Sequence, residues 1–556
     1  MVGQLLDWES LRAFSLTSHC YDRTLNQELQ KRVVPNDNAL VRACQERSPR
    51  LALYLLSPEN CRYTIPTGIL LRSPQLPKVI FKPEDYEVCL PGCRKVIAAL
   101  IANQADLDVN ARDSGSRTAL HNAIISHAPL CHVEELVEVF INGGVNVNAQ
   151  DSAGCTALHY VFAESGRVEY FHSKNLLPKL LASPADVDIQ DRNSRTALHY
   201  AILHFASPHH VKELLQVADP NILDFEANTP LHFAGSVLDP KTIALLLQYN
   251  PDVNSSNVYG DTPLHNVAGA GESRANFHPH HLNPFLKCMK KLLHHGADPN
   301  IQNNDGEAVL NIVTGIHHQT SFDAIKYLLD SGADPNICSI YGTPLHHAVQ
   351  EKDLSIVHLL IEYGAHVNAR NPEGCTPLHW ASEVPVWDLR VVESLLRKGA
   401  NVNVKNEEDN TPLHLASWPC ESAPECVMLL LRCGADPNTY DGSGATALHH
   451  AVHEGLDGPA YGISLQLTKL LLEFNANPNI KARVEQGQGA ITPMSTPLHV
   501  AAALGNPVAV QLLFLFGGDP HARDHSGKTP LDMAEQASPN SLGRWQCANL
   551  LRHFVS

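Results

Sequence analysis

The sequence predicts a mostly α-helical repeat solenoid, and two recurring patterns carry that prediction. The tetrad Thr-Pro/Ala-Leu-His occurs ten times, and the intervals between tetrads return to a base period of 33 residues. A fixed period of this length indicates stacked supersecondary units, none of which can bury its apolar face alone. With two degenerate copies at Ala308 and Thr529, we expect about twelve or thirteen repeats. The complete tetrads begin at Thr118, Thr156, Thr196, Thr229, Thr262, Thr343, Thr376, Thr411, Thr446 and Thr496.

A second pattern precedes most tetrads. The segment Gly-Ala-Asp-Pro-Asn stands at Gly296–Asn300 and again at Gly434–Asn438, and Gly364–Asn368 is a variant of it. Because this segment and the tetrad recur in a constant order, together they define one repeating unit.

The first, inner helix of each unit is predicted to begin at the tetrad. Threonine is a good N-cap and proline is favoured at the first helical position, so Thr376-Pro377 is a helix start. Small residues follow, such as Ala381, and they allow the inner helices of adjacent units to approach closely.

The second, outer helix carries apolar residues at helical spacing, as at Val392, Leu395 and Leu396, and it ends at Gly399. Glycine favours the left-handed conformation that closes a helix. Between outer and inner helices, segments such as Asn371–Gly374 predict a tight turn at the tip of a projecting hairpin finger.

These patterns resemble the ankyrin repeat, and the resemblance covers residues 105–556. It implies an ankyrin-repeat solenoid of helix-turn-helix units with β-hairpin fingers. It also implies that the tetrad Thr hydroxyl and imidazole hydrogen-bond within the turn region. The common function of such arrays is non-catalytic protein binding.

Residues 35–104 are expected to form one or more divergent N-terminal repeats, interrupted by a Pro-rich stretch from Pro58 to Pro91. Apolar residues within 38–57 read as a helix pair, and outer-helix character resumes over residues 93–103.

Residues 1–34 follow neither pattern and resemble half of an F-box. Leu6-Asp7, Ser10-Leu11 and Thr17-Ser18 match the middle and last helices of that domain, whereas its opening Leu-Pro-x-Glu-Ile motif is not found ahead of them. The resemblance implies docking on the Skp adaptor of cullin-RING ubiquitin ligases. The contacts expected from it are Leu6, Leu11, Phe14 and Leu16.

Composition argues against nucleic acid and membrane as partners. Lys and Arg number 41 against 58 Asp and Glu, so the formal net charge is −17, which is the wrong sign for neutralising phosphates. Apolar runs such as residues 508–516 fall well short of the ~18 residues that span a bilayer. Fourteen cysteines without Cys-x-x-Cys pairs suit a reducing compartment, so we expect a cytoplasmic or nuclear protein.

No catalytic residue, cofactor or metal site is predicted. Ten of the 32 histidines belong to the tetrads, where the resemblance gives them a structural role. The sequence holds no G-x-x-x-x-G-K-[ST], H-E-x-x-H or G-x-S-x-G motif. Because the repeats account for almost every segment, no stretch of sequence remains for a catalytic domain, and an enzyme is not expected.

An acidic, aromatic patch is the predicted partner-binding site. Trp380 follows a tetrad His and is expected to pack between helices, whereas Trp387 and Trp418 lie beyond inner helices and beside prolines, which favours exposure. Aromatic residues are enriched at binding hot spots, and finger residues vary to contact partners. The expected contacts with a neutral or basic protein segment are Trp387, Trp418, Pro372, Glu373, Cys375, Glu407, Glu408 and Asn410.

Two functional hypotheses follow. In the first, the chain is the substrate-recognition subunit of an SCF-type ubiquitin ligase, with the N-terminal helices as adaptor dock and the array as substrate reader. In the alternative, it is an ankyrin scaffold or adaptor without a role in ubiquitination.

Overall fold

The computed structural model describes most of the chain from residue 109 onward, and it divides the chain into two compact units, Met1–Phe225 and Glu226–Ser556. The predicted F-box-like segment and divergent N-terminal repeats lie outside the described residues. The described ranges are 109–110, 112–125, 130–163, 176–275, 282–315, 321–383, 388–418, 423–453, 459–482, 494–536 and 542–555.

Helices in the described ranges form twelve inner and outer pairs, numbered here as repeats 1 to 12 in chain order. Repeats 1–3 belong to the first unit and repeats 4–12 to the second. The inner helices are Ala119–Ile125, Ala157–Ala163, Ala197–Leu203, Pro230–Ser236, Pro263–Ala275, Val309–Thr314, Pro344–Gln350, Pro377–Ala381, Pro412–Ala416, Ala447–His453, Pro497–Leu504 and Pro530–Glu535. The outer helices are Leu130–Asn142, Leu176–Leu181, Pro208–Leu215, Pro240–Leu246, Leu282–His294, Ser321–Asp330, Leu354–Glu362, Leu389–Arg397, Ala423–Arg432, Pro459–Glu473, Pro507–Leu515 and Leu542–Val555. The prediction of a mostly helical ankyrin-repeat solenoid is confirmed.

Helix starts follow the predicted capping chemistry. Thr376 takes an extended N-cap conformation and Pro377 occupies the first turn of its inner helix. Where the N-cap of an outer helix is described, it is Ser, Asp or Asn: Asp353, for example, accepts hydrogen bonds from the backbone N–H groups of Ser355 and Ile356. These bonds satisfy donors that a helix N-terminus leaves without an intrahelical partner.

The core lies between the two layers of helices within each unit. Inner helices pack on the inner helices of neighbouring repeats, and outer helices pack on outer helices. The tetrad leucines, such as Leu378, are completely buried, and so are Val392 and Leu395 of the outer helix in the same repeat. Stacking of neighbours is therefore what removes the apolar face of each repeat from water.

The fourth tetrad residue joins its repeat to the next one. The Nδ1 atom of His379 accepts the N–H of Thr376 at 3.0 Å, and its Nε2 atom is 3.0 Å from the carbonyl oxygen of Asn410. A carbonyl can only accept, so Nε2 must carry the proton and Nδ1 must be bare. Each such histidine is held in one neutral tautomer.

The degenerate tetrads keep the bonds that their positions require. In repeat 6, the side-chain oxygen of Asn311 accepts the N–H of Ala308 at 3.2 Å, and its amide donates to the carbonyls of Ile337 and Gly342 at 3.1 Å. In repeat 12, Asp532 accepts the N–H and the hydroxyl of Thr529. A carboxylate has no proton to donate onward, so Asp532 suits the last described repeat.

A row of asparagines, here called the asparagine ladder, links the bases of neighbouring fingers through hydrogen bonds. The side-chain oxygen of Asn368 accepts the N–H of Asn401 at 2.7 Å, and its amide donates to the carbonyl of Gly399 at 3.1 Å. Both bonds reach the next repeat. Each asparagine with its two bonds forms one rung of the ladder and fixes the position of the following repeat. The residues that make this pair of bonds are Asn148, Asn254, Asn300, Asn336, Asn368, Asn403, Asn438 and Asn479.

The fingers are short hairpin turns whose tips contact one another. In repeat 8, Asn371 and Cys375 pair through a backbone hydrogen bond, and the side-chain oxygen of Asn371 accepts the N–H of Cys375 at 2.8 Å. The N–H of Glu407 then donates to the carbonyl of Glu373 at the neighbouring tip. None of the described helices is long and apolar enough to cross a membrane.

Candidate protein-binding surface

The tips of the fingers of repeats 8 and 9 present predicted contact residues to solvent. Pro372 and Glu373 are exposed in the first finger, and Glu407 and Glu408 are exposed in the second. The tip-to-tip bond from the Glu407 N–H to the Glu373 carbonyl, 2.9 Å long, holds the two fingers side by side. The acidic side chains therefore share one edge of the second unit.

Cys375 corrects the prediction, because its side chain is buried with only 7% exposed. The residue closes the finger turn, and its carbonyl oxygen lies 3.0 Å from the Nε2 atom of His346 in the preceding repeat. Its side chain packs into the base of the finger and cannot contribute to a contact surface.

Asn410 is half-buried, and its hydrogen bonds are internal to the repeats. Its carbonyl accepts from Nε2 of His379, and its amide donates to Oε2 of Glu408 at 3.1 Å. Asn410 thus orients Glu408. Trp387 lies outside the described residues.

Trp418 is exposed beyond the inner helix of repeat 9, with 39% of its surface accessible. One face of the indole stacks on the ring of His450 from repeat 10, at 5.4 Å between centroids. His450 is itself held by a 2.6 Å contact between its Nε2 atom and Oδ2 of Asp441. Because the indole stacks on a histidine that is itself held in place, it loses little rotational freedom when a partner binds.

Trp380 occupies the equivalent inner-helix position to His450, one residue after the tetrad His. It is half-buried and meets the rings of His346 and His347 edge to face, at 5.2 and 6.3 Å. It packs chiefly against the preceding repeat.

Glu383 is an exposed residue that the sequence reasoning missed. It follows Thr376 by the same seven positions that separate Trp418 from Thr411, and comparison of these two repeats could have identified it. Equivalent positions in adjacent repeats lie on the same face of the inner helices.

Three carboxylates act electrostatically on the buried thiol of Cys375. Burial raises the pKa of Cys375, and the negative charges of Glu373, Glu383 and Glu408 raise it further, while a hydrogen bond from Asn406 opposes them. We call Glu373, Glu383, Glu407, Glu408 and Trp418 the acidic-aromatic surface.

Neighbouring cations compensate little of the charge of Glu373, Glu407 and Glu408. Arg370 approaches Glu407 at only 4.0 Å, with both side chains largely exposed, and such a pair contributes little. Lys405 contacts Asp409 and donates to the carbonyl of Tyr440. Within the described ranges, neither Glu373 nor Glu408 forms an ion pair.

Over the part of the chain that is described, no group of three or more His, Cys, Asp or Glu side chains is placed to hold a metal ion. Repeats 8 and 9 together offer negative charge at the finger tips and an exposed aromatic face, which suits recognition of another polypeptide.

Comparison with known proteins shows the family. A model described as ankyrin repeats (3 copies) matches residues 128–224, 168–257, 280–371, 315–406, 355–441 and 378–482, and a second, ankyrin repeats (many copies), matches 484–534. These matches cover more than half of the chain, which therefore belongs to the ankyrin-repeat family.

Individual relatives are similar over short stretches. Human inversin is 38% identical over 104 residues, which are 17% of this chain and 10% of that protein. The putative ankyrin repeat protein FPV024 of fowlpox virus is 38% identical over 94 residues, 16% of this chain and 15% of that protein. Mouse ARF GTPase-activating protein GIT2 is 48% identical over 48 residues, 9% of this chain and 7% of that protein.

A solved structure in the same family gives a further match. The ankyrin repeat domain of Bcl-3, described as a member of the IkappaB protein family, aligns with a TM-score of 0.35 and 28% identity. The alignment covers 43% of this chain and 100% of that domain.

Proposed function

We propose that this protein is a non-catalytic binding protein whose acidic-aromatic surface captures a neutral or basic segment of another polypeptide. Ankyrin repeats support protein binding in general. The observation that favours this particular surface is the tip-to-tip bond from the Glu407 N–H to the Glu373 carbonyl, which holds the exposed carboxylates of repeats 8 and 9 side by side; repeat 9 also exposes the indole of Trp418.

The electrostatics of the whole chain support a basic partner. A formal net charge of −17 attracts cationic segments over a distance, and the carboxylates at the finger tips give them a place to pair. Lysine and arginine side chains also interact favourably with the face of an indole. Charge governs the rate of capture, while Trp418 slows release.

Affinity purification followed by mass spectrometry tests this proposal. The double variant Glu407→Lys/Glu408→Lys should lose the partners that the unaltered chain retains, because it replaces attraction with repulsion at exposed positions. The matched control is Glu425→Lys/Glu473→Lys, which makes the same charge change at exposed positions of the outer helices. Retention of the same partners by all three proteins would remove the acidic-aromatic surface from consideration.

A second, compatible proposal concerns the N-terminal segment. The motif positions Leu6-Asp7, Ser10-Leu11 and Thr17-Ser18 support a role as substrate-recognition subunit of an SCF-type ubiquitin ligase, with the Skp adaptor docked on Leu6, Leu11, Phe14 and Leu16. The array would then present the captured substrate.

Co-purification with the Skp adaptor distinguishes this role from that of a plain scaffold. The adaptor should accompany the unaltered chain, and Leu11→Asp/Leu16→Asp should abolish that association while leaving partners of the acidic-aromatic surface bound. If no adaptor is recovered with the unaltered chain, the scaffold alternative stands.

A further inference from the structure

The fingers of repeats 5 and 7 each carry two adjacent apolar side chains at their tips. Val258 and Tyr259 occupy the tip in repeat 5, and Ile340 and Tyr341 occupy it in repeat 7. All four are more than half exposed. Large apolar side chains at projecting positions remain exposed to water in the folded protein, and such side chains are typical of contact sites.

Backbone hydrogen bonds place these two tips on one continuous edge. The N–H of Asn304, at the tip of repeat 6, donates to the carbonyl of Tyr259 at 2.9 Å, and its side-chain amide donates to the carbonyl of Val258 at 3.0 Å. The N–H of Ile340 donates to the carbonyl of Asp305 at 3.0 Å. The apolar pairs are therefore separated by the single finger of repeat 6.

The intervening finger presents a carboxylate. Asp305 is exposed, and its side chain forms no ion pair or hydrogen bond among the described residues. No Lys or Arg occurs in the three finger segments, residues 252–262, 298–308 and 334–343. The edge thus alternates apolar, acidic and apolar, without local positive charge.

Pro372 separates this edge from the acidic-aromatic surface. At each preceding tip, the residue after the turn's first position donates its N–H to the neighbouring finger, as Ile340 does. Proline occupies that position in repeat 8 and has no N–H to donate. The row of tip bonds is therefore interrupted between repeats 7 and 8, which marks the boundary between the two surfaces.

We propose that the tips of repeats 5–7 form a second docking edge, which binds an extended protein segment carrying two apolar side chains with a basic residue between them. Val258 and Tyr259 would hold one apolar residue, Ile340 and Tyr341 the other, and Asp305 would pair with the cation.

The spacing of the edge sets the spacing of the ligand. Helices of adjacent repeats pack about 10 Å apart, so two repeats span about 20 Å. An extended chain rises about 3.3 Å per residue. The two apolar residues should therefore stand about six positions apart, with the basic residue near the middle.

Selection from a library of random twelve-residue peptides displayed on phage tests the proposal on the full chain. The unaltered protein should enrich peptides with two apolar residues about six positions apart and Lys or Arg between them. The variant Tyr259→Ser/Ile340→Ser should lose at least tenfold of that enrichment. The control Leu515→Ser removes an even more exposed apolar side chain from an outer helix and should enrich the same peptides.

A charge-reversal variant tests the role of Asp305 by a change in peptide preference, which a loss of folding would not produce. Asp305→Lys should keep the apolar spacing and replace the central basic residue with Asp or Glu in the recovered peptides. The proposal is overturned if the unaltered protein shows no spacing preference, if Tyr259→Ser/Ile340→Ser recovers the same peptides, or if Asp305→Lys leaves the central residue basic. Because Glu407→Lys/Glu408→Lys should recover these peptides unchanged, failure here is separable from failure of the acidic-aromatic surface.

Discussion

The tetrad histidine links its own helix start to the next repeat, and it can do so only as a neutral ring. Protonation of Nδ1 would turn the acceptor of the threonine N–H into a second donor facing it. Burial accordingly lowers the pKa of His346, His414 and His449 to about 4. At His346, the hydrogen bond to the carbonyl of Cys375 opposes the effect of burial.

The lowered pKa of these histidines in the folded chain predicts that acid destabilises the protein. Above pH 6.5 both folded and unfolded histidines are neutral, so stability is full. As the pH falls from about 6.5 to 4, these histidines bind protons in the unfolded chain but remain neutral in the folded chain. The free energy of unfolding therefore decreases. Each of the three sites should cost about 2 kcal/mol between pH 7.5 and pH 5.

Urea unfolding of the full chain and of His346→Gln at both pH values measures this effect. The variant should lose less stability on acidification than the unaltered chain, by about 2 kcal/mol, whatever its stability at pH 7.5. An identical pH dependence in the two proteins would show that His346 is protonated without cost in the folded state.

In the first unit, one position of the asparagine ladder is occupied by an aspartate. Asp188 stands at a ladder position and accepts the N–H of Asp219, but a carboxylate has no amide proton to donate. Burial raises the pKa of Asp188, and the charges of Asp186 and Asp219 raise it further, while the bond from the Asp219 N–H opposes them.

Asp188→Asn should therefore stabilise the protein, by about 1 kcal/mol, because it restores a donor and removes a repelling charge. The reverse change at an intact rung, Asn368→Asp, should destabilise it by a similar amount. Denaturant midpoints of the two variants at pH 7 provide the comparison, and a loss of stability in Asp188→Asn would argue against the ladder as a source of stability.

At the level of elements, helix starts and the outer-helix core were predictable, because capping residues and apolar spacing act within a few residues. Thr376-Pro377 and Leu395 are examples. The burial of Cys375 was not, since it depends on the carbonyl contact with His346 in another repeat. The tip-to-tip bond between Glu407 and Glu373 likewise needs the stacking of repeats, which no local pattern specifies.

The outer helices should show the cost of losing a stacking contact. Leu395→Ala removes a completely buried side chain between neighbouring repeats and should destabilise the protein by about 2 to 5 kcal/mol. Leu515→Ala, at a position 71% exposed, should cost less than about 0.5 kcal/mol. Equal denaturation midpoints for the two variants would contradict the assignment of the core to the layer between inner and outer helices.

At the scale of the molecule, the repeats supply a uniform framework, and function depends on the positions that the framework leaves free. The exposed residues at the fingers of repeats 8 and 9, with Trp418, carry the charge and the aromatic face that the proposed function requires. The family and fold followed from the period of the sequence. The choice among exposed residues did not, because finger tips are free to vary without affecting stability.

Amide hydrogen exchange of the full chain, alone and with a partner recovered by affinity purification, tests the central claim most directly. We predict slower exchange on binding in the fingers around residues 371–375 and 406–410 and in the segment 412–418. The outer helices Leu389–Arg397 and Ala423–Arg432 of the same repeats should exchange as before. Protection confined to those outer helices, with the fingers unchanged, would contradict the account.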